Sequence, residues 1–339
     1  MSKPPRRGFS AALAALAAVA VLVPLTACAS ESGSATAKTG ADGLVPVTVL
    51  RSNGALFEPL FIAEQQGYFT QAGLAVTIKA GAQDTSQNAP LVINGQAQFA
   101  MTDSSGFLKG AAAGLPIRIV TGLMTATTKT EQTDGLLVKK DSKISSFADL
   151  QGKTVGLSAL GGTIEFICRY LVQQDGGDPG EVKFVALPST ALVDAVSTGK
   201  TDAVFAFGPF YAGGKADDSL RVVGKGMNSL PGILQGLLFA SQSYLAENAD
   251  TAKKFGEAIA KAVTYANDHP DDVRAIDSKY TTLPASYIAA QQLPYFDTKI
   301  NTAVMRTVIT KMHEFGLLKS APQDGDVYWD QAPTSASGS

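Results

Sequence analysis

The sequence predicts an α/β fold with two lobes, each a mostly parallel sheet flanked by helices, and a ligand cleft between the lobes. Three observations support this prediction. Short β-branched runs alternate with helical patterns, which is typical of parallel α/β units. The pattern occurs twice, with a similar segment in each half of the chain. The 339 residues, 45% of them hydrophobic, are also enough for a large core divided between two lobes.

The first half of the chain begins with regularly alternating elements. Its strands are predicted from runs rich in Val, Ile and Leu, and its helices from apolar stripes that end at a glycine. We predict strands at 45–50, 74–78, 98–101, 117–123 and 136–139, and helices at 56–67 and 86–94.

The second half repeats this alternation and then becomes helical. From about Tyr244 onward the pattern is helical and poor in strands, and its clearest apolar stripe includes Phe255 and Ile259. We predict strands at 154–157, 182–185, 203–207 and 220–223, and helices at 163–174 and 190–198.

The domain organisation follows from these elements. Residues 44–136 and 237–331 are expected to form lobe 1, and residues 137–236 lobe 2. The chain then crosses between the lobes twice, with hinges expected near 134–138 and 234–238. Residues 332–339 are expected to form a polar tail.

Two segments, 91–101 and 195–205, align with one another. Each contains the end of a helix, a glycine, a polar step and a buried strand, and each is followed by a turn of small residues. Ligands of open α/β sheets bind at the carboxyl ends of the strands. Two such lobes facing each other would therefore bring both turns to one cleft.

The first 27 residues are typical of a secretory signal. Lys3, Arg6 and Arg7 form a basic start, and the apolar run at 11–23 is too short and wrongly flanked for a membrane span. The segment Leu25-Thr26-Ala27-Cys28 resembles the lipobox of bacterial lipoproteins. The resemblance implies that Cys28 carries lipid and becomes the first residue of the mature chain, anchoring it stably. The alternative is an ordinary signal with a chance cysteine.

The chain after this signal has properties of an exported protein held near a membrane. Residues 28–43 are rich in Ser, Ala, Thr and Gly and are predicted to form a flexible tether. The signal holds three of the 28 basic residues and none of the 30 acidic ones, so the mature net charge is −5. This charge argues against nucleic acid as a partner. With Cys28 lipidated, Cys168 is alone, on a helical stripe that predicts burial.

The segment GLSALGGT, residues 156–163, is one residue short of a phosphate-binding loop. Gly162 occupies the position of the lysine that would reach the phosphates, which argues against a nucleotide triphosphatase. The start of the next helix still offers backbone N–H groups and a partial positive charge. Gly161, Gly162 and Thr163 are therefore candidates to hold a carboxylate, a sulfonate or a polar ring edge. The alternative is a turn that packs only against protein.

Other candidate ligand contacts follow predicted strands of the first lobe. Thr102, Ser104 and Ser105 supply hydroxyl and N–H groups at the cleft, although Ser104 or Ser105 is equally suited to be a helix N-cap. Arg51 either pairs with an anionic ligand or forms an ordinary surface or interlobe ion pair. The segment after the first strand contributes three further candidates, Ser52, Asn53 and Phe57.

In the second lobe the candidates are Phe207, Gly208 and Pro209. Phe207, together with Phe210 and Tyr211, is suited to sandwich a planar ligand, although aromatic residues at strand ends are more often core. The two histidines, His269 and His313, lie away from the predicted cleft loops, and no spacing resembles a metal site or a catalytic motif. We therefore expect no metal, no cofactor and no enzymatic activity.

The segment from Asn53 to Phe69, with its pattern PLFIAxxxGYF followed by Ala72-Gly73-Leu74, resembles a known family. It is similar to the opening of ABC-transporter solute-binding proteins of the nitrate/sulfonate/taurine group, which is also similar to thiamine-pyrimidine binding and synthesising proteins. Further matches lie at 95–105, 150–156 and 169–171. The resemblance covers about 45–318 and implies a periplasmic-binding-protein fold of type II that closes over a small ligand.

One departure from the family pattern affects the expected ligand. Many members resemble W-E-P after the strand at 203–207, where this chain has Phe207-Gly208-Pro209. The missing acidic side chain would make the site larger or less polar. The resemblance implies a small organic anion or planar heterocycle, with a sulfonate favoured. Nitrate, taurine, aromatic carboxylates and thiamine-precursor pyrimidines stay open.

Together these patterns predict a monomeric, lipid-anchored receptor. It would lie on the outer face of the cytoplasmic membrane, bind a small molecule between its lobes and deliver it to an ABC permease. A pyrimidine-synthase-like enzyme of the same fold is a second hypothesis, but it would need a histidine in the site. A passive adhesion protein is a third, and it would not need two matched lobes.

Overall fold

The computed structural model describes residues 40, 42–53, 56–82 and 85–335. The predicted signal, Cys28, the tether up to residue 39 and the last four residues of the predicted tail lie outside the described residues. No helix in the described part of the chain combines the length and apolar character needed to cross a membrane.

The described chain is an α/β structure, as the alternating patterns predict. The strands are β1 (Val45–Arg51), β2 (Leu74–Ala80), β3 (Phe99–Thr102), β4 (Ile117–Thr125), β5 (Asp134–Lys139), β6 (Thr154–Leu157), β7 (Lys183–Ala186), β8 (Ala203–Phe207), β9 (Leu220–Val223), β10 (Leu234–Ser241), β11 (Ile300–Asn301) and β12 (Thr334–Ser335). The helices are α1 (Glu58–Gln65), α2 (Tyr68–Gln71), α3 (Asn88–Ile93), α4 (Ser104–Ala112), α5 (Thr163–Gln174), α6 (Leu192–Ser197), α7 (Gly208–Ala216), α8 (Gln242–Glu247), α9 (Ala249–Asp268), α10 (Pro270–Tyr280), α11 (Ala285–Ala290), α12 (Thr302–Glu314) and α13 (Asp324–Val327).

Two five-stranded sheets organise these elements. The first has the order β2-β1-β3-β10-β4, and the second has the order β7-β6-β8-β5-β9. In each sheet four strands run in one direction and the fourth strand in the order, β10 or β5, runs in the opposite direction. This confirms the prediction of two mostly parallel sheets.

The two antiparallel strands explain how the chain passes between the sheets. β4 ends at Thr125 and the chain enters the second sheet at Asp134; β9 ends at Val223 and the chain returns at Leu234. Because β5 and β10 are reversed, each begins at the edge where its neighbours end. The connecting segments 126–133 and 224–233 therefore join the carboxyl edges of the two sheets. The expected hinges at 134–138 and 234–238 lie within β5 and β10, directly after these connections.

Several predicted elements have different limits in the structure. Asp103, rather than Ser104 or Ser105, is the N-cap of α4, and its side chain accepts a hydrogen bond from the Gly106 N–H at 2.6 Å. Pro209 does not mark a simple turn but lies in the first turn of α7, where its missing N–H costs no helical bond. Residues 334–335 of the expected tail pair with β11.

The core follows the predicted stripes. Phe255, Ile259 and Val263 of α9 pack with the first sheet and α1, and Phe255 stacks on Phe99 with ring centroids 4.0 Å apart. Cys168 of α5 is fully buried and is a free thiol, which confirms its predicted burial. One apolar cluster contains residues of both sheets together with α4, α5 and α12.

Candidate functional site

The carboxyl edges of the two sheets are the place where the predicted ligand residues collect. In the first sheet β1 and β3 end at Arg51 and Thr102. In the second sheet β6 and β8 end at Leu157 and Phe207, and GLSALGGT runs from the last two residues of β6 to the first residue of α5. Both connecting segments run between these same edges, so the edges belong to one region of the fold.

A hydrogen bond between two helix starts joins the sheets on one side of this region. The Thr163 hydroxyl, in the first turn of α5, donates to the Ser105 hydroxyl, in the first turn of α4, at 3.0 Å. Both residues are buried, and Ser105 also contacts the Met312 sulfur at 3.6 Å. The structure thus brings together two predicted site residues that are 58 positions apart in the sequence.

The remaining predicted hydroxyl groups of the first sheet also have protein partners. Ser104 donates to the Leu234 carbonyl at 2.6 Å, which links α4 to the start of the returning strand β10. The Thr102 hydroxyl is 3.1 Å from the Thr85 hydroxyl. Thr102, Ser104 and Ser105 therefore all have hydroxyl groups with a structural role, and a ligand contact for any of them stays a prediction.

The loop in the GLSALGGT segment is bound to an acidic side chain of α5, the helix that follows it. The Gly161 N–H donates to the Glu165 carboxylate at 2.6 Å, and this carboxylate also pairs with Arg169 at 2.7 Å. The Lys109 ammonium lies against Gly161, so that a Cβ at Gly161 would collide with it. Among these three charged side chains the sum is one positive charge. The surroundings of the loop therefore carry a net positive charge, and one of its N–H groups is already bound to protein.

Gly162 differs from its neighbour Gly161. Its φ of −91° is open to any residue, and a Cβ placed on it would have no protein atom within 4 Å. Gly161 has a φ of +70°, where a side chain is strained. A glycine is therefore suited to each position for a different reason. Gly161 allows the backbone conformation of the turn, and Gly162 leaves open space in front of α5.

The segment after β1 places its predicted residues in three different environments. Arg51 donates to the Ser52 carbonyl at 2.7 Å, and its guanidinium carbon lies 4.5 Å from the centroid of the Phe57 ring. Phe57 is fully buried and meets Phe61 edge-on, so most of this ring belongs to the core. Asn53 is exposed and donates to the Gly81 carbonyl at 3.0 Å.

Aromatic residues surround the end of β8. Phe207 and Phe210 meet edge-on with ring centroids 6.2 Å apart, and both are half-buried. Gly208 between them has a φ of +53°, and its N–H donates to the Thr133 carbonyl in the first connecting segment. This places the predicted trio beside one of the two connections.

Tyr287 is a residue of this region that sequence reasoning missed. It lies in α11, and a Cβ on Gly208 would be 3.3 Å from its hydroxyl oxygen. It is another close approach between the second sheet and the part of the chain that packs on the first. The position of Tyr287 depends on the path of the C-terminal helices, so no local sequence pattern predicts it.

Asp134 ties the two connecting segments together where β5 begins. Its carboxylate accepts a hydrogen bond from the Met227 N–H at 3.0 Å, and Gln132 donates to the carbonyls of both Asp134 and Gly224. Burial raises the pKa of Asp134 to about 6, and the Met227 bond offsets only part of this effect.

One cavity in the described part of the chain lies away from this region. A cavity of about 400 Å³ is lined by residues that include Arg306 and Tyr328. Tyr328 pairs with Ile119 near the start of β4, at the opposite edge of the first sheet. The region between the carboxyl edges is therefore the better candidate, because it collects the backbone turns and both connections.

Three known proteins that resemble this chain in sequence or in fold are described as binding proteins. A protein of Bacillus subtilis (strain 168) named "Putative binding protein YtlA" is 24% identical over 269 residues, which is 78% of this chain and 75% of that protein. The periplasmic aliphatic sulphonate binding protein SsuA of Escherichia coli has a similar fold, with a TM-score of 0.71 at 17% identity, covering 85% of this chain and 98% of its own. The periplasmic nitrate-binding protein NrtA of Synechocystis PCC 6803 has a TM-score of 0.61 at 12% identity, covering 82% and 83%.

The family itself is identified by a match over most of the chain. The model for proteins described as "NMT1/THI5 like" matches residues 55–273. This stretch includes the segment from 55 to 69, on which the sequence resemblance mainly rests, and it continues through the whole second sheet. The chain belongs to the NMT1/THI5-like family.

Proposed function

We propose that this protein is an extracytoplasmic solute-binding protein that captures a small molecule between its two sheets and delivers it to an ABC importer. One observation carries the proposal: both connecting segments, 126–133 and 224–233, join the carboxyl edges of the two sheets. A ligand at these edges contacts both lobes at once, so its binding free energy stabilises a closed arrangement. The names of the relatives, which describe binding proteins, support the same function.

For the ligand we propose a small organic anion with an apolar or planar part, and a sulfonate first. Lys109 beside Gly161 and Arg51 at the end of β1 supply positive charge near the two edges. Phe207 and Phe210 offer an apolar wall. Thiamine-precursor pyrimidines and aromatic carboxylates are the alternatives, because a planar ring suits the same aromatic pair. A pyrimidine-synthase-like activity is the less favoured function, since neither histidine lies in the strand-end loops.

We further propose that Cys28 carries a lipid anchor that holds the monomeric protein on the outer face of the cytoplasmic membrane. The sequence Leu25-Thr26-Ala27-Cys28 and the following tether support this location. Replacing Cys28 by Ala should release the protein from the membrane fraction and abolish incorporation of labelled lipid. Retention of the Cys28→Ala protein in membranes, with label still incorporated, would mean that the anchor is elsewhere.

A thermal-shift panel tests the binding function. The full chain is heated with alkyl- and arylsulfonates, nitrate, taurine, aromatic carboxylates and pyrimidines. A ligand present at one hundred times its dissociation constant stabilises the native state by about 2.7 kcal/mol, which raises the melting temperature measurably. A shift with sulfonates alone supports the favoured class. Turnover of a compound in the panel, with no shift by any other, would replace the receptor by an enzyme.

A further inference from the structure

Two buried carboxyl groups interact beneath the loop that follows β1, on two helices that pack against each other. Glu58, in the first turn of α1, and Asp277, in α10, are each only 2% exposed. One oxygen of each has an ordinary partner: Glu58 Oε1 accepts from the Leu56 N–H at 3.0 Å, and Asp277 Oδ2 accepts from the Gln291 amide at 2.7 Å. The other two oxygens, Glu58 Oε2 and Asp277 Oδ1, are buried without a hydrogen-bond donor.

No positive charge in the described part of the chain compensates this pair. Arg274, one turn earlier in α10, is directed to Asp271 and to the Gln291 carbonyl. Other charged or titratable groups on the packed helices have different contacts. Lys279 lies over Tyr280, Lys254 of α9 pairs with Asp250, and Tyr265 donates to Asp272. Tyr287 of α11 lies near Asp277 without donating to it.

Two adjacent buried carboxylates without a cation cannot both stay ionised. Each unpartnered oxygen would also lose its hydrogen bonds to water, and this loss is most unfavourable for a charged group. One proton placed between the two oxygens removes both problems, because it turns one group into a donor and leaves the other as its acceptor. Burial, and then the negative charge of Asp277, raise the pKa of Glu58 well above its usual value, as such a proton requires.

We propose that Glu58 and Asp277 share one proton, and that this pair makes Glu58 a positioning residue for the loop at the cleft. Leu56 is the residue that Glu58 holds. It has a φ of +78°, a conformation that is strained for a side chain as large as leucine, and its N–H is bound to Glu58 Oε1. A Cβ placed on Gly236 of β10 would be 3.9 Å from Leu56 Cβ, so this loop lies over the start of the returning strand.

The shared proton therefore connects α10, the loop after β1 and, through Leu56, the start of β10. Only the description of this loop as part of the cleft rests on the proposed function; the proton itself does not. Loss of the proton would leave two buried negative charges, and the position of Leu56 would become less favourable. The stability of the protein should depend on pH for this reason.

The direction in which the Glu58 pKa is shifted determines whether stability rises or falls with pH. An unfolded glutamate has a pKa near 4.3, and the folded group binds its proton more tightly. The stabilisation is complete below the unfolded pKa and is lost as the pH rises toward the folded pKa. Over that window the unfolding constant rises by up to about tenfold per pH unit.

Glu58→Gln provides the test in the full chain. A glutamine keeps an oxygen for the Leu56 N–H and supplies a permanent N–H for Asp277 Oδ1, so it imitates the protonated state. Urea unfolding of the native protein and of E58Q is compared from pH 5 to pH 9. The ratio of their unfolding constants should grow with pH, by up to about tenfold per unit. Other titrating groups cancel in this ratio. Asp277→Asn, which supplies the N–H from the other side, should give the same result.

Two further measurements make the result decisive. The Leu56 amide, followed by selective ¹⁵N-leucine labelling and hydrogen exchange, should stay protected in E58Q and exchange rapidly in Glu58→Ala. Parallel pH profiles for the native protein and both amide variants would overturn the proposal. So would a native stability that follows sodium concentration at constant pH and ionic strength, because a bound cation would then occupy the place of the proton. None of these readouts uses a ligand, so their failure is separate from failure of the proposed function.

Discussion

The Thr163 hydroxyl donates to the Ser105 hydroxyl at 3.0 Å, and this bond joins the first turns of α5 and α4. Two other contacts, between Phe166 and Phe315 and between Gln173 and Glu314, lie along the same face of α5. One side of the region between the sheets is therefore held by packing as well as by this hydrogen bond. Movement of the lobes has to rotate about this side or break it.

Thr163→Val should destabilise the protein by about 1 kcal/mol. The valine keeps the volume of the side chain but removes the donor of a buried hydrogen bond. Urea unfolding measures the loss, and Thr310→Val is the control because Thr310 is exposed in α12. In a double-mutant cycle with Ser105→Ala the two losses should not add. Additive losses would show that the two hydroxyl groups do not interact in solution.

The elements of this fold could be predicted from the sequence where the local pattern was consistent. The limits of β6, α5 and β8 agree with prediction, because each combines a clear apolar pattern with a glycine or polar stop. The strand β10 was missed because Gly236 interrupts its apolar run. The helix α7 was missed because three glycines and a proline in nine residues are typical of turns.

The candidate site was predictable only in part. Strand ends can be located from the sequence, and this was enough to place Ser105, Thr163 and Gly208 at the two facing edges. Whether these residues already contact other protein atoms depends on how distant segments meet, as Ser104 does with Leu234 and Gly208 with Tyr287. These contacts are set by the path of the whole chain, so no local pattern contains them.

Gly162→Val should block ligand binding without affecting stability. The backbone φ of −91° accepts a valine, and no protein atom lies within 4 Å of its Cβ. The new side chain would occupy the open space in front of α5. Any compound that raises the melting temperature of the native protein should fail to do so with this variant, while the melting temperature without the compound stays the same.

The matched control for this test is Gly256→Val, which makes the same substitution in α9, also with no atom within 4 Å. Thr163→Arg is a poorer probe of the same loop, because Thr163 is buried and bonded to Ser105. Equal ligand responses in the Gly162→Val protein and the control would show that the GLSALGGT segment is only a turn.

Asp134 should make the connection between the sheets sensitive to pH. Its folded pKa of about 6 lies above the unfolded value near 3.9, so its stabilisation is complete below pH 3.9 and is lost by about pH 6. The change corresponds to about 3 kcal/mol. Asp134→Asn keeps an acceptor for the Met227 N–H and should remove this part of the pH profile, measured by urea unfolding from pH 4 to pH 7.

Asp218→Asn serves as the control, because Asp218 is exposed and the variant should keep the native profile. If Asp134→Asn and Asp218→Asn give the same dependence on pH, Asp134 is ionised throughout this range. The E58Q variant separates the two buried groups, because it removes the titration of Glu58 and leaves that of Asp134 in place.

Cys168 should be unreactive in the native protein and reactive after unfolding. The thiol is fully buried in α5, and burial, followed by the nearby Glu165 carboxylate, raises its pKa far above that of a free cysteine. An aromatic disulfide reagent should therefore detect no thiol in the native mature protein and one thiol per chain in denaturant. Rapid reaction of Cys168 in the native protein would show that α5 separates from its packing on α4 and α12.

The number of thiols in denaturant also reports on Cys28. Two thiols would mean that Cys28 is retained without lipid. One thiol in denaturant, lost in Cys168→Ala, fits a buried structural cysteine and leaves Cys28 either blocked by lipid or removed. The membrane fractionation of Cys28→Ala then decides between these two states, because only a lipid-blocked Cys28 predicts release of the variant.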